Sequence, residues 1–143
     1  MADRAKRLDR LLRVRTMQLG MVRAEEGRAA SRLADEQALR DRVSSLAAAV
    51  APTPSGMADT ALSVMATAHY RDRLVTTAQT IAERVDLAER ALDHARAATQ
   101  AAKRDQTAME KLIERAQQEA VRRAGRALER LGEQAPKKRH DPC

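Results

Sequence analysis

Side chains that could take up protons, hold a metal or attack an electrophile are few in this chain, and their spacing is poor. The histidines stand at His69, His94 and His140, and no His-Glu-x-x-His spacing joins any two of them as a zinc pair would require. Glu25 and Glu26 are adjacent, and neighbours on a helix do not face each other, so they form no acid–base pair. No G-x-x-x-x-G-K-[ST] loop is present to cradle phosphates. Cys143 is the single cysteine, so one chain closes no disulfide. The reading from these residues is a protein that is not an enzyme, with no catalytic residues, no metal site and no cofactor. Tyr70, the lone aromatic, flanks the apolar seam described below and suits a contact with a partner protein.

The elements that would position any site are helices. Of 143 residues, 33% are charged and 1% aromatic, and alanine supplies much of the 43% hydrophobic fraction. Alanine buries little area, so a thick globular core is not expected. The formal charge is +7, and arginine accounts for most of the 27 basic residues. That balance suits an acidic protein surface, a nucleic acid or an anionic membrane, or else a solvated helix surface. The longest apolar run, residues 46–51, is far short of the ~20 residues that span a membrane.

Strong breakers cluster at residues 51–56, APTPSG. The expected organisation is therefore all-α: one coiled-coil hairpin over 1–134, with a helix over 3–50, a turn at 51–56, a longer helix over 57–132 and a disordered tail over 135–143. Asp3 caps the first helix in this reading, Ser55 or Asp59 the second, and Gly132 with Pro136 provides the stop. In the second helix Leu74, Ala78, Ile81, Val85, Ala88, Leu92, Ala95, Thr99, Ala102, Gln106, Met109, Ile113, Ala116, Ala120, Arg123 and Ala127 follow alternating spacings of four and three, a heptad seam. The first helix is patchier, and Gly20 and Gly27 mark its weakest stretch.

Folding the sequence about the middle of APTPSG sets Val22 against Val85, Ala29 against Ala78 and Val43 against Val64, with Leu8 near Thr99 and Arg4 near Lys103. That register leaves everything after about Asp105 without cover, although Met109, Leu112, Ile113, Val121, Leu128 and Leu131 follow. Docking four such side chains is worth roughly 6–12 kcal/mol before association costs. A second molecule is the expected cover, with a homodimer through these overhangs or a bent-back bundle as alternatives. The arginines at 122, 123, 126 and 130 could contact phosphates, but glutamates interleave with them and no aromatic platform is present for stacking bases, so nucleic acid is not the expected partner. Nor is direct membrane insertion, because RLDRLLRVR lacks bulky interfacial anchors.

The layout, from RLDRLLRVRTMQLG through a Pro/Gly turn to a long helix carrying AMEKLIER at 108–115, resembles the flagellar export protein FliJ family and its injectisome relatives. The resemblance implies an antiparallel two-helix coiled coil, similar to the stalk of rotary ATPases, that lodges its joined ends in the ring of the FliI-like export ATPase. It also implies contacts with the FlhA-like export gate protein and with export chaperones, and a cytoplasmic location peripheral to the inner-membrane export apparatus. Carried onto this sequence, the ring-facing candidates are Arg4, Arg7, Leu8, Leu11, Leu12, Met109, Leu112, Ile113, Glu114, Arg115 and Arg122, with Tyr70 assigned to the gate or chaperones. The two other readings that stay open are a self-associating structural coiled coil and a basic hairpin that binds nucleic acid.

Overall fold

The computed structural model describes residues 2–50 and 61–133, with side chains from Arg4 onward. Two helices account for the described residues: α1, Ala2–Ala49, and α2, Ala61–Glu133. The fold is all-α, an antiparallel helical hairpin with the longer helix second. The expected turn at 51–56, the caps at Asp3, Ser55 and Asp59, and the tail at 135–143 lie outside the described residues or side chains. Both helices follow from the text: alanine, leucine, arginine and glutamate lose little on entering a helix. The hydroxyls that would otherwise compete are turned inward along the helix, as when Thr16, Thr76 and Thr107 each donate to the carbonyl four residues back.

The chain divides into two compact units: residues 20–101, called unit 2, and residues 1–19 with 102–143, called unit 1. In unit 2 the core is Val43, Leu74, Ile81 and Val85, flanked by Leu33, Leu39 and Val50. Ala29 and Leu92 are also buried. Three cross-helix contacts give the register: the Thr99 hydroxyl reaches the Val22 carbonyl at 3.5 Å, Arg84 pairs with Glu36, and Arg71 donates from Nε and Nη2 to the Val50 carbonyl at 3.2 and 2.8 Å. In unit 1, Arg15 meets Asp105 at 3.1 Å and Leu19 is buried. Each contact joins residues whose numbers sum to 120 or 121.

This corrects the register expected from the sequence, in which they sum to about 107. Val22 lies beside Thr99 rather than Val85, and Val64, placed against Val43 by the expectation, is 56% exposed. The shift is two heptads, so the same seam faces α1 in both alignments; apolar pattern alone cannot separate them. Side-chain size separates them. The observed alignment sets large against small: in unit 2 Ala29 opposite Leu92 and Leu33 opposite Ala88, in unit 1 Leu19 opposite Ala102. The shorter alignment would set Ala29 against Ala78 and leave a void, set Leu33 against Leu74 and overpack, and point Arg15 at Leu92 and Glu26 at Ile81. The seam itself stands: every position from Ile81 to Ala116 is at least half-buried, while Ala78 and the positions after Ala116 are exposed.

Two consequences correct the expected ends. In unit 2, α2 runs ten residues, 61–70, past the end of α1, and all ten are exposed. In unit 1, α1 covers α2 well beyond Asp105, and only residues 117–133 are exposed without interruption. The overhang is thus much shorter than the sequence suggested. Gly20 and Gly27 do not break α1, which is helical through both.

Two outcomes test these points. In a Cys143→Ser background, Val22→Cys with Thr99→Cys oxidises to a disulfide without loss of helicity, whereas Val22→Cys with Val85→Cys does not, as read by gel mobility under non-reducing conditions. A Cβ at Gly20 or Gly27 meets nothing within 4 Å, so Gly20→Ala and Gly27→Ala each stabilise by about 0.5–1 kcal/mol, measured by urea denaturation.

Candidate partner-binding site

Unit 1 gathers the residues that sequence reasoning assigned to a partner, and it sorts them into two groups. Leu8 and Leu12 of α1 and Met109 and Ile113 of α2 are half-buried, because they sit on the seam and cover one another. Arg4, Arg7, Leu11, Leu112, Glu114, Arg115 and Arg122 are exposed, Leu11 at 50% and Leu112 at 48%. The first group holds the helices together; the second is what a partner would meet. Tyr70 belongs to unit 2 and is exposed at 47%.

Between the first turns of α1 and the middle of α2 in unit 1 runs an open groove of about 610 Å³. Its apolar wall is Ala5, Leu8, Ile113, Ala116 and Ala120. Its rim is charged: Arg4, Lys6 and Asp9 from α1, and Glu119 and Arg123 from α2. The two carboxylates are held by arginines of their own helices, Asp9 by Arg13 at 3.0 Å and Glu119 by Arg123 at 3.1 Å. Such exposed pairs contribute little to stability, but they neutralise the acidic part of the rim.

Past Ala120 the apolar text continues with Val121, Ala124, Leu128 and Leu131, spaced three, four and three so that they share one side of α2. Val121, Leu128 and Leu131 are 66–72% exposed. Around them stand Arg122, Arg123, Arg126 and Arg130, and Glu129. Taken over its full sequence, unit 1 has 17 basic and 9 acidic side chains, a formal charge of +8; unit 2 has 10 and 11, a charge of −1. All of the chain's net positive charge therefore belongs to the unit that carries the groove and the bare apolar stripe. A complementary surface would be apolar at its centre and acidic at its edge.

No cluster of three metal-ligating side chains occurs among the described residues. His69 and His94 are both exposed. Among the described residues no helix is long and apolar enough to cross a membrane. Glu26 is half-buried, because it occupies a seam position opposite Ala95.

Sequence reasoning missed the polar contacts that fix the pairing. Arg71 stands on the seam extrapolated one turn beyond Leu74, and its guanidinium ends α1 by accepting the role of a C-terminal cap, which α1's own last turn lacks for want of a basic residue. Glu36 also sits on the seam; its Oε1 accepts from Arg84 while its Oε2 is buried without a partner. A seam traced through α1 at three-four spacing would have flagged Arg15, Glu26 and Glu36 as polar interruptions needing opposite numbers. Because one carboxylate oxygen is left unsatisfied, Glu36→Leu should raise stability, by about 1 kcal/mol in chemical denaturation. Arg84→Ala should lower it by a similar amount.

Compared with known proteins, the chain matches no family model, no curated protein and no solved structure.

Proposed function

We propose that this chain is a non-enzymatic stalk of the FliJ type: a coiled coil of a flagellar or injectisome type III protein export apparatus that inserts unit 1 into the ring of a FliI-like export ATPase and promotes the ring's assembly and turnover. The observation that carries the reading is the coincidence, within unit 1, of the groove, the bare stripe of Val121, Leu128 and Leu131 and a charge of +8. Unit 1 places bare apolar side chains and the chain's surplus of cations together, as a protein-binding end requires. Leu11, Leu112, Arg115 and Arg122 supply the first contacts on this reading, and Leu8, Leu12, Met109 and Ile113 hold the two helices so that those contacts are presented together.

The mechanism is linkage. A ligand that binds an assembled ring better than its separate subunits stabilises the ring by its differential affinity, and tenfold preference corresponds to about 1.4 kcal/mol. No phosphate chemistry falls to this chain. Tyr70 and the neighbouring turns of unit 2 are left for the FlhA-like gate or for export chaperones, and the protein works in the cytoplasm beside the inner-membrane apparatus.

The test uses the export ATPase encoded in the same genome, purified and assayed with and without this chain. The expected result is a several-fold rise in ATP turnover and a shift to hexamer in sedimentation, lost in Arg122→Glu/Arg126→Glu and in Leu128→Asp but kept in Leu62→Asp. An ATPase whose assembly and turnover ignore the chain, or whose response is lost equally in the Leu62→Asp variant, sinks the reading.

A further inference from the structure

Residues 4–18 of α1, all in unit 1, carry six basic side chains and one carboxylate, Asp9, a stronger imbalance than the rest of the unit shows. Asp9 is held by Arg13 at 3.0 Å, and Arg15 is taken by Asp105 at 3.1 Å. Arg7 and Arg10 are exposed and form no ion pair among the described residues. They share a line with two apolar side chains. The seam of α1 in this unit is Leu8, Leu12, Arg15 and Leu19, spaced four, three and four; Arg7, Arg10, Val14 and Met17, spaced three, four and three, lie on the opposite side, with Leu11 and Arg13 at their flanks. Val14 is 49% exposed, Leu11 50% and Met17 70%. The outward face of α1 is thus a ridge, cationic at one end and apolar at the other, and it is free of carboxylates because Asp9 lines the groove instead.

Such a face is complementary to a surface that is anionic outside and apolar just beneath. Nucleic acid offers phosphates to Arg7 and Arg10 but nothing to Leu11, Val14 and Met17. A folded protein takes a convex ridge only where it has a groove shaped to it. A bilayer containing acidic phospholipid supplies both parts without being shaped: phosphates at its surface, the boundary with the acyl chains below them, and a plane that meets the ridge along its length. The seam removes one cost of adsorption. Leu8, Leu12 and Leu19 already hold α1 helical against α2, so the segment has no folding entropy left to lose. The ridge has no aromatic anchor, so charge holds the contact and the helix stays at the surface.

We propose that the outward ridge of α1 in unit 1 adsorbs this protein to membrane surfaces rich in acidic phospholipid, with Arg7 and Arg10 on headgroup phosphates and Leu11, Val14 and Met17 at the edge of the acyl region. The contact is peripheral and salt-sensitive, and neutral lipid does not support it. Arg7 and Leu11 are also candidates for the ATPase ring, so one chain does not make both contacts through this face at once, and lipid holds chains that are not engaged with a ring. The inference does not rest on the stalk reading. Its test contains no ATPase, so either can fail alone.

The test is flotation of the full chain with vesicles of phosphatidylcholine, either alone or with about one third phosphatidylglycerol. The wild type should bind the acidic vesicles at least about tenfold more tightly than the neutral ones, and about 0.5 M salt should release it. Arg7→Gln/Arg10→Gln should bind about thirtyfold more weakly, about fivefold for each cation. Val14→Gln/Met17→Gln should weaken binding about tenfold with unchanged circular dichroism, because both side chains point away from the seam. Arg104→Gln/Lys111→Gln removes the same charge from exposed positions of α2 that also face away from the seam, on the far side of the hairpin, and should stay within about threefold of wild type. No binding to acidic vesicles at low salt, equal binding to neutral ones, an equal loss in Arg104→Gln/Lys111→Gln, or an unchanged Val14→Gln/Met17→Gln overturns the proposal. So does tighter binding to a DNA duplex with the same dependence on Arg7 and Arg10, which would assign these cations to the phosphates of nucleic acid.

Discussion

Everything described for this chain depends on which residue of α1 stands opposite which residue of α2. An alanine-rich seam offers little burial at each step, so no single layer of side chains could impose the alignment. It is set by matching large against small, Leu33 with Ala88 and Leu92 with Ala29 in unit 2 and Leu19 with Ala102 in unit 1, and by polar contacts at Arg71, Arg84 and Arg15 whose geometry fails if either helix slides. Arg71 is the most decisive of these. Its two donated hydrogen bonds end α1 at a particular carbonyl, and with that point fixed the lengths of bare helix follow by counting.

The sequence made the helices, their number, their order and the seam of α2 legible, because period, propensity and the Pro/Gly cluster all pointed one way. It did not make the alignment legible. A heptad pattern repeats every seven residues, so an error of two heptads left each apolar residue facing inward and raised no alarm. Volume was the missing signal, together with the polar interruptions at Arg15, Glu26 and Glu36, positions on the α1 seam that await partners on α2. The same error inflated the bare stretch of unit 1 and hid the one at the start of α2. The residues assigned to the ATPase ring do gather in one unit, with Tyr70 in the other, yet four of their six apolar side chains serve the hairpin itself.

Charge divides the chain in a way that composition conceals. A formal charge of +7 spread evenly would describe a basic surface of no particular address. Here it resolves into a unit at +8 and a unit at −1, each with apolar side chains left bare. Bare apolar surface is a liability for solubility wherever it occurs. Ringing one patch with arginine and leaving the other without charge makes the two patches complementary to different surfaces.

The uncovered last turns of α2 have a further consequence for the lifetime of the protein. A lone helical stretch of that length is marginal in water, since tertiary packing rather than propensity holds most protein helices. Residues 117–133 therefore open at a lower free energy than the seam. They also offer Arg122, Arg123, Arg126 and Arg130, cleavage points for any protease that prefers basic residues. On the proposed stalk reading, a chain whose end is covered would keep these bonds out of reach and a surplus chain would expose them, so the turns that recruit a neighbour would also set how long an unrecruited copy survives.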